Sequence, residues 1–278
     1  MTTDAISPVY EFDASRSRYA YAWRDMVEAF AKPHLIITLV ANDISNRYKG
    51  AALGAFWISL TTLATATGLA VLYGKIFGAE LNDYYPYVTT GIIVWGLISG
   101  LINDGAGVFV GGSTFLTQTP LPKTLLVLRA IGRALWVLSF KLIILFGVLA
   151  ATGAKVGVTD VLVSLAGLCI VLWAGFFAAL GIGTIAARFR DFGQFIDVGL
   201  TFAFFATPIF WRPEKLGEYA HLIRLNPLHH YVNIIRGPLT GETDVAVSFI
   251  WAGVLTFIVT ALGSLIFANF ARRLPYWC

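Results

Sequence analysis

His229 and His230 stand side by side in the stretch "NPLHHYVNIIRG", residues 226 to 237, with Asn233 and Arg236 close behind. Two imidazoles could hold a metal or relay a proton. A zinc pair on a helix needs ligands three or four residues apart, whereas neighbours diverge by about 100°, and no carboxylate or cysteine stands at ligand spacing. No metal site is expected. No serine or cysteine nucleophile accompanies the pair in a recognisable motif, so no catalytic residue is expected either. Lys141, in "WVLSFKLIIL", is a cation inside an apolar run. It could attract an anionic group such as a lipid diphosphate, snorkel to an interface, or pair with Asp104 or Asp197. Arg129 and Arg133, four apart, share a helix face that suits phosphates, lipid headgroups or plain anchoring. Gly68, Gly74 and Lys75 imitate a phosphate loop poorly: five residues separate the glycines instead of four, and Ile76 replaces the Ser or Thr. This chain is expected to bind no nucleotide or other cofactor.

The elements that carry these residues follow from composition. The chain has 278 residues, 57% hydrophobic, 14% aromatic and only 13% charged, with a mean hydropathy of +0.73. That surface does not suit water. Apolar runs of about 20 residues, enough to cross ~30 Å of hydrocarbon as helix, recur along the chain. Six spans are predicted, at 51–77, 87–110, 130–152, 159–186, 193–211 and 247–270. The first 50 residues contain no apolar h-region and no small-residue cleavage site, so no cleavable signal is expected. Cys169, in an apolar run, and Cys278, the last residue, read as unpaired. The net charge of +4 comes from dispersed basic residues without a run of five, which fits orientation in a bilayer better than nucleic acid binding. Arg16, Arg18, Arg24, Lys32, Arg47, Lys49, Lys123, Arg129, Arg133, Arg188, Arg190, Arg272 and Arg273 fall on the side of the termini. Lys75, Lys155, Arg212, Lys215, Arg224 and Arg236 fall on the other. The bias, about two to one, puts both termini in the cytoplasm.

Before the spans, residues 1–20 form a polar tail and 21–50 a surface helix with its lead-in. Trp23, Met26, Val27 and Phe30 recur at helical spacing, Arg24, Asp25 and Glu28 take the other face, and Pro33 ends the run. Between spans five and six, Pro208 and Pro213 interrupt an aromatic stretch. Asn226 as N-cap, Pro227 in the first turn and Gly237-Pro238 as a stop then predict a helix over 227–236. Leu228, Tyr231, Val232, Ile234 and Ile235 would share its apolar side, opposite His229, His230, Asn233 and Arg236. Two short re-entrant helices at the outer membrane face are expected, lining an aqueous path. Small residues four apart, at Gly50 and Gly54, Gly96 and Gly100, and Gly107 and Gly111, suggest close helix contacts. No carboxylate ladder or internal repeat supports an ion-driven carrier. If transport is active, ATP must be hydrolysed elsewhere.

"NRYKGAALGAFWISL" at 46–60, "YVTTGIIVWGLISGLINDGAGVFVGG" at 87–112 and "PLPKTLLVLRAI" at 120–131 are followed by "ARFRDFGQFIDVGLTFAFFATPIFW" at 187–211 and "NPLHHYVNIIRGPL" at 226–239. Together they resemble the ABC-2 type transport permeases, most of all those that export O-antigen, capsule or teichoic acid polymers. The resemblance implies an all-α polytopic inner-membrane protein, with a transmembrane domain over 51–272 and a cytoplasmic tail over 273–278. It implies a homodimer joined to two ATP-binding subunits that hold ATP and Mg, moving an undecaprenyl-diphosphate-linked polysaccharide from cytoplasm to periplasm. The interfacial helix with Trp23, Arg24 and Glu28, a coupling helix near Thr114 and Phe115, and Arg188, Arg190 and Asp191 would meet the ATPase. Trp57, Tyr73, Trp95, Phe140, Phe202 and Phe205, with Arg129, Arg133 and Lys141, would line the channel. Pro208, Trp211, Asn226, Pro227, His229, His230 and Arg236 would form a periplasmic gate. Family members often carry a basic residue before the aspartate that here follows Asn42, and a serine near Ala51 or Ala52. An ABC-2 lipid or drug exporter, and a membrane enzyme acting on polyprenyl phosphates with the histidine pair, are the competing readings.

Overall fold

Proline and glycine set many of the helix ends in this chain. The computed structural model describes residues 17–50, 53–118, 121–242 and 244–277; most of the polar tail, Ala51, Ala52 and Cys278 lie outside them. Helix α1 (Arg18–Phe30) stops short of Pro33, which opens α2 (Pro33–Tyr48) at its first turn. Next come α3 (Phe56–Phe77), closed by left-handed Gly78, then α4 (Leu81–Gly107) and the short α5 (Ser113–Gln118). α6 (Thr124–Thr152) ends at left-handed Gly153. α7 (Val158–Arg188) starts where Gly157 N–H donates to the Asp160 carboxylate at 2.8 Å. α8 (Phe192–Ala206) leads through a 3-10 segment, Pro213–Leu225, to α9 (Pro227–Thr240) and α10 (Val245–Phe270). A turn, Ala271–Arg273, joins the last helix, α11 (Leu274–Trp277). The described residues contain no strand.

Five helices are long and apolar enough to cross a membrane: α3, α4, α6, α7 and α10 with its C-terminal extension. The expected fifth span, 193–211, is shorter. α8 has 15 residues, about 22 Å at 1.5 Å per residue, and it gives way to extended backbone at Thr207 ahead of Pro208. Pro86, near the expected start of the second span, lies inside α4, which begins earlier.

α4 and α7 form the centre. α4 packs against α3, α6, α7, α8 and α9, while α7 packs against α4, α9 and α10. Phe109, Leu126, Val127, Leu180, Phe267 and Leu274 build one core at the end that carries α1 and α11, here the near end. Ile93, Leu97, Leu138, Val171, Val232 and Ile234 build another toward the far end. Backbone contact across these helices occurs where side chains vanish: a Cβ on Gly167 would stand 2.6 Å from the Ile234 carbonyl, and one on Gly105 2.8 Å from Ala179. The Gly50/Gly54 pair is different. Both have positive φ, 83° and 51°, in the bend before α3, so they turn the chain instead of packing a helix.

Candidate functional site

At the near end, the first two helices are fastened to α6 by carboxylates. Asp25, 7% exposed, accepts from the backbone N–H groups of Lys123 and Thr124 at 2.9 and 2.8 Å and from the Thr124 hydroxyl at 2.7 Å. It caps the orphan donors at the start of α6 from another part of the chain. Asp25, expected on the polar face of α1 with Arg24 and Glu28, is therefore turned inward. Ala22, Asp25 and Ala29 turn inward, whereas Trp23, Val27 and Phe30 are exposed, 68%, 49% and 58%. Small residues let α1 lie close to α6 and α10, with one satisfied carboxylate buried between them.

Asp43 of α2 is gripped by both arginines of α6. Arg129 binds it through two guanidinium nitrogens, and Arg133 Nη1 donates at 2.9 Å, while Arg133 Nη2 reaches Asp104 at 3.4 Å. Burial alone would raise the Asp43 carboxyl, but the hydrogen bonds and charges of Arg129 and Arg133 outweigh it and hold the group below the usual carboxylate range. Phe115 of α5 lies under Arg129, 5.2 Å from ring centroid to guanidinium. Sequence reasoning found the arginines and missed Asp43 and Asp25.

Lys141 sits farther along α6, and its Nζ would be 2.7 Å from a Cβ on Gly96 of α4. With Arg47, Asp104 and Arg133 it lines a cavity of about 270 Å³. Asp104 pairs with Arg133 at 3.4 Å, so of the alternatives open for Lys141 the pair with Asp104 is not formed. The other near-end residues are spread over the surface. Arg24 and Glu28 pair with each other, Arg188 lies over the rings of Phe189 and Trp277, and Arg190 borders a cavity of about 500 Å³ with Ser113, Asp197 and Trp277. Asp191 precedes α8 without capping it through its side chain, and Thr114 is exposed on α5.

The aromatics split into two sets. Tyr73 packs on Phe77 and Phe210, Trp95 on Phe204, and Phe140 on Trp136. Trp57, Phe202 and Phe205 are 50%, 73% and 62% exposed, on α3 and α8. No described residue of α8 is buried.

The far end is built around α9. Asn226 Oδ1 accepts from Leu228 N–H at 2.9 Å, and its amide donates to the Ala206 carbonyl and the Thr207 hydroxyl, tying the start of α9 to the end of α8. The side of α9 that carries His229, His230, Asn233 and Arg236 is buried. His230 meets Ser248 and the Arg224 carbonyl at 3.2 and 2.9 Å and stacks on Trp251; Asn233 donates to Ser248 at 2.9 Å. Arg236, 0% exposed, donates to the Pro208 carbonyl at 2.6 Å and to Glu242 at 2.8 Å, its guanidinium 3.9 Å from the Tyr87 ring centroid. Tyr84 bonds the Phe210 carbonyl, and Tyr87 lies between the carbonyls of Pro208 and Trp211. α4, α7 and α10 pack against α9 and bury most of it from His229 to Gly237, which its amphipathic pattern did not foretell. The helix also runs through Gly237-Pro238 to Thr240. The carbonyl that Pro238 leaves unpaired, that of Ile234, lies over Gly167, and Ser164 donates to the next carbonyl at 2.9 Å.

Comparison with known proteins gives this arrangement a context. Residues 34–240 match the ABC-2 type transporter family. Two O-antigen export system permease proteins RfbA from Klebsiella pneumoniae are each 20% identical, over 86% of this chain and 95% of theirs in one case and 70% and 75% in the other. The O-antigen export system permease protein RfbA of Myxococcus xanthus is 22% identical over 78% of this chain and 89% of its own.

Proposed function

The chain belongs to the ABC-2 type transporter family, and from that premise we propose that it is the membrane half of an exporter for an O-antigen-like polysaccharide. The polymer travels on an undecaprenyl-diphosphate carrier from cytoplasm to periplasm, through the inner membrane. Two copies of this chain assemble with two ATP-binding subunits, which hold ATP and Mg. Both termini are cytoplasmic in this reading. α8, with the chain as far as Trp211, is the fifth of six crossings, α1 lies in the membrane interface, and the segment Pro213–Leu225 with α9 re-enters from the periplasmic side as a gate.

The observation that carries this reading is the agreement among the relatives: all three are named O-antigen export permeases, and their alignments cover most of this chain. Geometry adds support. Trp57, Phe202 and Phe205 are exposed on α3 and α8, where a second copy would complete an aromatic-lined passage. The near end offers α1, α5 and Arg190 to an ATP-binding subunit, and that subunit would supply the hydrolysis for which this chain has no motif. Deleting the gene is expected to remove the surface polysaccharide, with the lipid-linked precursor accumulating inside. The purified permease is expected to retain an ATP-binding subunit encoded nearby. Normal surface glycan in the deletion strain would overturn the proposal.

A further inference from the structure

Between the start of α4, the α6–α7 turn and α9, the far end holds a cleft of about 980 Å³, the size of pockets that take small organic ligands, about 300–1,000 Å³. Its wall includes polar atoms that the fold leaves unsatisfied. His229 is 7% exposed and Asn233 1% exposed; they stand one helical turn apart on α9, and both line the cleft. Among the described residues, His229 Nδ1 and Asn233 Oδ1 have no hydrogen-bond partner, and neither do Arg212 Nε, also on the wall, and Arg236 Nη2 behind it. His230 next door has a partner for each ring nitrogen. Buried polar atoms are normally paired, so this group calls for a bound species.

The chemistry of the group selects that species. On the wall it offers one guanidinium donor from Arg212, one amide acceptor, and one imidazole nitrogen that takes either role with its tautomer, with the Arg236 guanidinium buried behind them. An anion would face Asn233 Oδ1 and the carboxylates of Asp83 and Glu242, and a metal cation would face Arg212 and Arg224. A hydroxyl group donates and accepts at once and carries no charge. We infer that the cleft is a binding site for an uncharged, polyhydroxylated ligand, a short stretch of saccharide, with His229 and Asn233 as its central hydrogen-bonding pair. This inference rests on the reading of the chain as a polysaccharide exporter and adds to it a docking site beside the gate helix. A polymer held there does not slide back between strokes of the ATPase.

The test uses full-length protein in lipid nanodiscs and oligosaccharides released by mild acid from the host's own surface polysaccharide, free of lipid and phosphate. Saturable binding is expected by saturation-transfer NMR, weakened about tenfold by Asn233→Leu and by His229→Phe. Because both positions are buried, the unmodified protein provides a second readout. Lys155 is exposed on the cleft wall, whereas Lys75 is exposed outside it. Oligosaccharide is expected to slow acylation of Lys155 and to leave Lys75 unchanged, and inorganic phosphate is expected to leave both unchanged. Unprotected Lys155, protection by phosphate in place of sugar, or undiminished binding in both folded variants would overturn the inference. Those outcomes leave the export reading intact if the deletion strain still lacks surface glycan; normal glycan in that strain overturns the export reading itself.

Discussion

Asp43 illustrates how much of this molecule rests on single carboxylates. Its two arginine partners come from one face of α6, and removing the carboxylate leaves two partly buried guanidinium groups facing each other. Asp43→Asn is expected to cost about 2 kcal/mol, below the range for fully buried pairs because Asp43 and the arginines are 17–28% exposed. The measurement is thermal unfolding in nanodiscs. The carboxyl is held below its unfolded value, so its contribution is complete above the ordinary carboxylate range, near pH 4, and fades as pH falls through the lowered value. The stability gap between wild type and Asp43→Asn is therefore expected to be constant from about pH 7 to 5 and to close below that. A gap that persists unchanged at pH 3 would contradict this account. Sequence spacing placed Arg129 and Arg133 on one face correctly, since four residues are about one turn. It could not reveal their partner, because a contact across 86 residues leaves no local pattern.

At the scale of elements, α9 depends on its cap and on the glycine beneath it. Asn226→Ala removes the cap on Leu228 and the two bonds to Ala206 and Thr207. The change is expected to destabilise the first turn of α9 by about 1–2 kcal/mol, read as faster amide exchange at residues 228–230 with the middle of α7 unaffected. Gly167→Ala is expected to lower the melting midpoint, since its new methyl would overlap the Ile234 carbonyl, by an amount near the 1–3 kcal/mol typical of overpacking. Gly147→Ala is the control. It lies in α6 with nothing within 4 Å of the added carbon, and its midpoint is expected to hold or rise. Hydropathy revealed the long apolar helices because 22 to 33 residues of sustained apolarity do not suit a helix surrounded by water. It overran α8, whose apolar pattern continues past the backbone break at Thr207. It also treated α9 as half-solvated, because residues such as His230 and Asn233 look polar until Ser248, a distant residue, supplies their partner.

For the whole molecule, the division of aromatics between packed and open positions separates stability from transport. Trp95→Ala is expected to destabilise the protein by about 3 kcal/mol, because the ring is 8% exposed and packs on Phe204. Trp57→Ala with Phe202→Ala and Phe205→Ala is expected to change stability by less than about 1 kcal/mol and to reduce surface glycan, scored by gel and by antibody. Loss of folding in the triple variant would count against that separation. The membrane class and the family resemblance were legible because composition and motif order survive without coordinates. The sorting of side chains into packed and open was not, because it depends on which helices meet α4. Asp25 has a further consequence, for biosynthesis. Its carboxylate completes the start of a helix that lies 98 and 99 residues later in the chain. α1 therefore has no finished seat while α3 and α4 are being made. It is made before both of them, and it locks only after Lys123 and Thr124 have left the ribosome.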